Sequence, residues 1–315
     1  MKKVLISAFL VFFVFVSGIA SSPVQVMLDF FPNPNHVPLI VAIERGYFQD
    51  EGLNVEIVVP QNPSDPVKLV AAGAVDVALT PQINLLIACD AGLPVIAVGS
   101  LINSPLGGLM GLAERGIDSL SDLRGGKIGY SLSPLEPILW RTMLTSVGIH
   151  RDEYELINVG FNTVLALLSG QVDAIGAFRN FEVLQVTNAG KEPSFFPQEA
   201  YGVPHTEEVL IVVSTSSLAD DPRLEGFLCA LKRGITFTKT HSEDAFSDFI
   251  KAYPDLDDNL NRQAYEATIP LYSPWASMGQ EEEWHTLADY LYDNDLIESR
   301  LSIEEVFTDK YLREE

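Results

Sequence analysis

Two short segments concentrate the side chains that could recognise a small molecule. The first, Leu28-Asp29-Phe30-Phe31-Pro32-Asn33-Pro34-Asn35-His36, places a carboxylate, two aromatic rings, two amides and an imidazole directly after a β-forming run. Proline fixes φ, so Pro32 and Pro34 would hold those polar groups in a preset arrangement rather than leave them to order on binding. A structural reading competes with this one: Asn35 caps the next helix while Phe30 and Phe31 pack beneath it. The second segment, Phe178-Arg179-Asn180-Phe181-Glu182, also follows a buried run. If it opens a helix, Phe178 and Glu182 are four residues apart and share a face. A ring and a carboxylate on one face suit a flat heterocycle bearing amino groups, the ring stacking and the carboxylate accepting hydrogen bonds. The competing reading makes Phe178 a core residue and Glu182 a solvated helix position.

Catalytic patterns are absent from the sequence. It contains no Gly-x-Ser-x-Gly elbow, no phosphate-cradling Gly-x-x-x-x-Gly-Lys run, no His-Glu-x-x-His pair and only five histidines, so no nucleophile or metal-activated water has an evident seat. Gly107-Gly108 and Gly125-Gly126 open no helix with phosphate-binding spacing and are read as turns. Cys89 and Cys229 fall in predicted helices, where buried free thiols are the expected state, and two cysteines alone make no metal site. No cofactor and no metal are expected. Acidic residues outnumber basic ones by 43 to 20, a formal charge of -23, which disfavours nucleic acid and anionic lipid as partners.

The elements that must position these segments alternate in type. After Lys2 and Lys3 an apolar run from Val4 to Val16 leads to Gly18-Ile19-Ala20, the pattern of a cleaved secretory signal over residues 1–20. The first cysteine after that run is Cys89, so no lipid anchor is indicated and a periplasmic location is expected. Strands are predicted at 24–28, 55–59, 75–79 and 95–100, interleaved with helices at 38–45, 66–72 and 83–91. A second succession follows, with strands at 127–130, 156–159 and 173–177 and helices at 135–147 and 164–168. The helix, glycine cap and Val-Asp strand of Leu69 to Ala78 reappear in Leu167 to Ile175, which suggests two lobes of similar topology. Strand 208–214 would return the chain to the first lobe, and the remaining helices would wrap it. The expected fold is therefore α/β with mainly parallel sheets, residues 21–103 and 208–315 forming one discontinuous lobe and 104–207 the other. Two crossings would make a hinge, and the loops after Leu28, Leu79, Ser100, Tyr130, Val159 and Ala177 would face an interlobe cleft.

From about Val24 to Asn294 the sequence resembles the family that unites periplasmic binding proteins for thiamine-pyrimidine precursors with the fungal pyrimidine synthases of thiamine biosynthesis. The resemblance rests on Leu28-Asp29-Phe30-Phe31-Pro32-Asn33 with Asn35-His36, on Glu44-Arg45-Gly46-Tyr47-Phe48 followed by Glu51-Gly52-Leu53, on Asn62-Pro63-Ser64-Asp65, on Gly73-x-Val-Asp76, and on Arg179-Asn180-Phe181-Glu182. It implies a type II periplasmic-binding-protein fold and an amino-pyrimidine ligand of the formylaminopyrimidine or hydroxymethylpyrimidine type. It also implies a monomer that hands its ligand to an ABC permease and ATPase. The ligand-binding residues expected on this basis are Asp29, Phe30, Asn33, His36, Thr80, Asn84, Phe178, Asn180 and Glu182. Thr80 and Asn84 lie in the segment where the synthase branch carries a lysine and a histidine, and the cysteines of that branch are missing near the return strand, so binding without turnover is implied. Phe178 stands where the resemblance leads one to expect tyrosine; stacking survives and a phenol hydrogen bond is lost. An oxyanion receptor in the same fold is the alternative, but its pocket would need converging cations or amides, and the predicted cleft loops offer carboxylates with Arg179 as the nearest cation.

Overall fold

The computed structural model describes residues 23–312 apart from 63, 161 and 217–220; the leader expected over residues 1–20 and its cleavage point lie outside the described residues. Short runs rich in Val, Ile and Leu form the strands, and each amphipathic stretch between them forms a helix. The first half gives β1 (Val24–Met27), α1 (Val37–Glu44), α2 (Tyr47–Asp50), β2 (Val55–Val58), α3 (Asp65–Ala71), β3 (Val77–Thr80), α4 (Gln82–Asp90) and β4 (Val95–Ile102). The middle gives β5 (Gly107–Leu112), β6 (Lys127–Tyr130), α5 (Leu135–Ser146), β7 (Glu155–Asn158), α6 (Thr163–Ser169), β8 (Ala174–Phe178), α7 (Glu182–Asn188) and β9 (Pro193–Pro197). The last part gives β10 (Val209–Ser214), α8 (Arg223–Thr240), α9 (Ser242–Ala252), α10 (Asn259–Thr268) and α11 (Glu281–Asp293).

Two five-stranded sheets result, in the orders β2-β1-β3-β10-β4 and β7-β6-β8-β5-β9. They share one plan. Each has a parallel β-α-β part, and each receives an antiparallel strand from beyond the crossing: β10 between β3 and β4, and β5 between β8 and β9. The sheets are thus mixed, where the sequence reading expected mainly parallel ones. The crossing strands cause the difference, because a chain that passes to the other lobe and returns must enter in the reverse direction.

Gly107 and Gly108 are not a turn, as the sequence reading had them, but the opening residues of β5. Close strand approach is the physical reason. A Cβ on Gly108 would sit 2.2 Å from the Phe196 carbonyl oxygen and 2.8 Å from the Phe195 ring, so only glycine fits between β8 and β9 at that register. Gly125-Gly126 is a turn, Gly125 taking φ 78°.

One core lies between the first sheet and α1, α8 and α9, where Val26, Val41, Phe48, Phe227, Phe246 and Phe249 are buried. Each such side chain contributes about 1.5–3 kcal/mol of burial. Gly234 lets α8 press against α1, since a Cβ there would lie 2.3 Å from the Pro38 carbonyl oxygen. The opposite face of the sheet packs on α11, whose buried Trp284 stacks on Phe307 at 4.6 Å. The sequence reading had the helices after β10 wrap the first lobe alone. In the structure α10 also packs against α7, and α11 reaches α5 through Tyr290 to Thr142 (2.7 Å) and Asn294 to Arg141 (3.0 Å).

Cys89 on α4 and Cys229 on α8 are not joined in a disulfide, and burial pushes the Cys89 thiol up to about 12. Among the described residues no helix is long and apolar enough to cross a membrane, and no group of three His, Cys, Asp or Glu is placed to hold a metal.

Candidate functional site

The two segments singled out in the sequence meet where the strand ends of the two sheets face each other. Asn180 carries the join: its Nδ2 donates to Asn35 Oδ1 at 2.9 Å and to Thr268 Oγ1 at 2.8 Å, so the turn after β8 is tied to the loop after β1 and to α10. Asn180 is buried, and its Oδ1 has no hydrogen-bond partner among the described residues. An unpaired buried acceptor of this kind is costly unless a ligand donor or a water meets it.

On the first-lobe side, Asp29 follows β1 and is fixed from behind. Its Oδ1 lies 2.7 Å from His36 Nε2, and His36 Nδ1 accepts the Asn33 backbone N–H at 3.3 Å, which puts the imidazole proton on Nε2 and makes it the donor to Asp29. His36 is fully buried, so it orients the carboxylate and has no surface for a ligand. Asn33 is likewise absorbed by structure: it caps the turn Pro34–His36, accepting from Asn35 N at 2.8 Å. The cap is therefore Asn33, not Asn35 as the competing sequence reading had it. Phe30 and Phe31 stand edge to face at 5.2 Å and are both exposed, so they do not pack under the helix.

On the second-lobe side Phe178 ends β8 and is 37% exposed as a residue, and a half-buried Glu182 begins α7. The two do not share a helical face, because Phe178 is still strand; instead Glu182 Oε2 accepts the Phe178 backbone N–H at 2.8 Å. Burial pushes the Glu182 carboxyl above the usual range, and that N–H opposes the rise. A second carboxyl, which the sequence reading missed, lies beside it. Glu136, in the first turn of α5, accepts from Ser131 N at 2.6 Å and Leu132 N at 3.3 Å. Burial raises its carboxyl, those N–H groups oppose the rise, and the charge of Glu182 adds to it. The available signal was its place just after a loop expected to face the cleft.

The hinge supplies a fourth acid. Glu208, at the start of β10, is seen by solvent only in part, and its burial pushes the carboxyl up to about 7; the Leu106 N–H opposes this, Asp29 adds to it and Arg179 opposes it. Glu208 Oε2 lies 3.5 Å from Leu106 N, just past the first crossing, and a charge from each segment reaches it. Its neighbour Glu207 points into the first lobe, where Oε1 accepts from Gly279 N at 2.9 Å and Trp284 Nε1 at 3.0 Å. Arg179, the cation nearest the cleft, is already paired with Glu199 at 2.6 Å.

Thr80 is buried at the end of β3 and Asn84 is half-buried in the first turn of α4; neither side chain hydrogen-bonds to the Asp29 or Phe178 segments. An open groove of about 1490 Å³ runs along α8 beside Trp275, but it is lined by helix and tail residues and by no strand end.

Three comparisons bear on what this arrangement is. Over 93% of its length the chain is 36% identical to a thiamine biosynthesis protein of Haemophilus influenzae, covering 96% of that protein. It is 33% identical over 92% of its length to the formylaminopyrimidine-binding protein of Halalkalibacterium halodurans, covering 90% of it. In fold it is similar to the periplasmic aliphatic sulphonate binding protein of Escherichia coli, with a TM-score of 0.73 at 14% identity and coverage of 93% and 95% of the two chains. The two mixed sheets and the facing strand ends are thus those of a periplasmic binding protein. The sequence pattern of NMT1/THI5 like proteins matches residues 33–245, more than half of the chain, which therefore belongs to the NMT1/THI5-like family.

Proposed function

We propose that this chain is the solute-binding receptor of an ABC importer, that it captures a thiamine pyrimidine precursor of the formylaminopyrimidine or hydroxymethylpyrimidine type in the periplasm, and that it delivers this ligand unchanged to a permease driven by an ATPase. The observation that carries the reading is the acid-rich cleft: Asp29 oriented by His36 on one wall, and Glu182 with Glu136 beside the exposed ring of Phe178 on the other. A flat ring that stacks on Phe178 and presents amino donors offers further hydrogen bonds to carboxyls that burial has partly stripped of water. The name of the Halalkalibacterium halodurans relative supports that ligand class for this chain.

A sulphonate reading draws on the fold likeness alone. An oxyanion would need free cations, whereas Arg179 is held by Glu199 and the walls carry four carboxyls. A synthase reading lacks its machinery, because Thr80 and Asn84 stand where the resemblance puts a lysine and a histidine.

Isothermal titration calorimetry tests the proposal, with protein refolded to strip carried-over ligand and with formylaminopyrimidine, hydroxymethylpyrimidine, thiamine and taurine as titrants. One-to-one binding of a pyrimidine and silence from taurine is the expected result. Binding of taurine with silence from the pyrimidines would replace this reading with the sulphonate one.

A further inference from the structure

Among the described residues Glu136 has one oxygen without a hydrogen-bond partner. Oε2 is taken by the N–H groups of Ser131 and Leu132, at the end of β6, while Oε1 lies over β8, 3.3 Å from where a Cβ on Gly176 would be. That Cβ is missing, and Gly176 keeps some exposure although Ile175 and Ala177 on either side are buried. The edge of the Trp140 ring fills that place, 2.6 Å from the same point, and Glu136 Oε1 lies beside the ring, over the strand face that Phe178 shares two residues further on. Glu182 begins the next helix and its charge reaches Glu136; among the described ionisable groups on α5, β6, β8 and α7 it is the one that does so.

We propose that Glu136 is a specificity-determining residue of the cleft: Oε1 carries a proton and donates it in a hydrogen bond to a ring nitrogen of the ligand, while Glu182 accepts from the amine on the adjacent ring carbon. This rests on the reading of the cleft as an amino-heterocycle site. The pair of acids reads the donor-acceptor edge of an amidine-like heterocycle, and a ring with carbon in place of that nitrogen offers Glu136 nothing. Burial and the nearby Glu182 charge keep the Glu136 proton in place into the range where an exposed carboxyl has lost it.

The test is calorimetric titration of hydroxymethylpyrimidine, and of its benzyl alcohol analogue with carbon at both ring-nitrogen positions, into the wild type and Glu136→Gln across pH. The Gln side chain keeps an acceptor for Ser131 and Leu132 and an uncharged donor in place of Oε1. Wild-type affinity for the pyrimidine should weaken about tenfold as rising pH ionises Glu136, because ionisation replaces the donor with a carboxylate facing a nitrogen lone pair. In Glu136→Gln, which has no carboxyl to ionise at that position, the limb should vanish. Wild-type titrations on that limb, in buffers of differing ionisation enthalpy, supply a readout independent of the variant: proton uptake should accompany the pyrimidine and not the analogue. A Gln variant that keeps the limb, or equal proton uptake with both compounds, overturns the role of Glu136 and leaves the receptor reading intact. Silence of the wild type toward every pyrimidine overturns both.

Discussion

On the first-lobe wall of the cleft, Asp29 is held 2.7 Å from the imidazole of a fully buried histidine, whereas on the second-lobe wall Glu136 and Glu182 are held by backbone N–H groups. The two solutions have different consequences. A side-chain partner ties the orientation of Asp29 to the packing around His36, so damage to that wall registers in the stability of the fold. Backbone amides leave the second pair desolvated and close to like charge, so damage there registers in ligand affinity and its pH dependence.

The largest expected effect tests the second wall. Glu182→Ala should weaken pyrimidine binding by more than about 2 kcal/mol, since a hydrogen bond to a charged group is worth about 1.5–3, with little change in the urea midpoint. An unchanged dissociation constant would remove Glu182 from the site. The first wall answers to His36→Ala, expected to cost about 2 kcal/mol of stability in urea titration, because it empties a buried volume and strips Asp29 of its partner. A variant as stable as wild type, affected only in binding, would erase the contrast between the walls.

Glu208, between them, should act through pH. Its folded carboxyl is raised from 4.5 to about 7, so the folded chain keeps a proton that the unfolded chain releases. Stability is therefore lost as pH rises from about 4.5 through about 7 and levels off above; Glu208→Gln should abolish that loss, of about 1–2 kcal/mol after allowance for the partial exposure of the group. The difference between wild type and variant in urea midpoints at pH 5 and pH 8 measures it. The smallest effect is expected from Asn180→Ala, which cuts the two side-chain hydrogen bonds joining the walls. It should loosen ligand binding by about 1 kcal/mol and enlarge the radius of gyration of the ligand-free protein in small-angle scattering.

The sequence made the strands flanked by helices readable, because runs such as Val77-Ala78-Leu79-Thr80 and Val209-Leu210-Ile211-Val212-Val213 are apolar along their whole length and end in turn residues. It hid β5 and β9. Glycine occupies three of the six positions in Gly107-Gly108-Leu109-Met110-Gly111-Leu112, and its reason for being there, the Phe196 carbonyl and the Ile117 side chain pressed against the backbone, appears only once the chain has folded. The site was legible to the same extent. Asp29, Phe178 and Glu182 stood out by type and by following strands, and the structure has Asp29 in the loop after β1, Phe178 at the end of β8 and Glu182 at the start of α7. His36 and Asn33 looked like ligand groups because type and spacing do not say which way a side chain turns; burial behind Asp29 and capping of the Pro34–His36 turn decided that. Glu136 was invisible for the opposite reason. A glutamate in a first helical turn is ordinary, and only its place over Gly176 and in the field of Glu182 sets it apart.

The interleaving of the sheets has a consequence for the order in which the molecule is made. β10 lies inside the first sheet, between β3 and β4, yet it is synthesised after every strand of the second. As the chain emerges, β3 and β4 wait with unpaired edges until Val209–Ser214 arrives, while the strands from Gly107 to Pro197 can already zip together. The half that is first in sequence is thus last to be completed, which prolongs the interval in which the polypeptide is unfinished and still threadable.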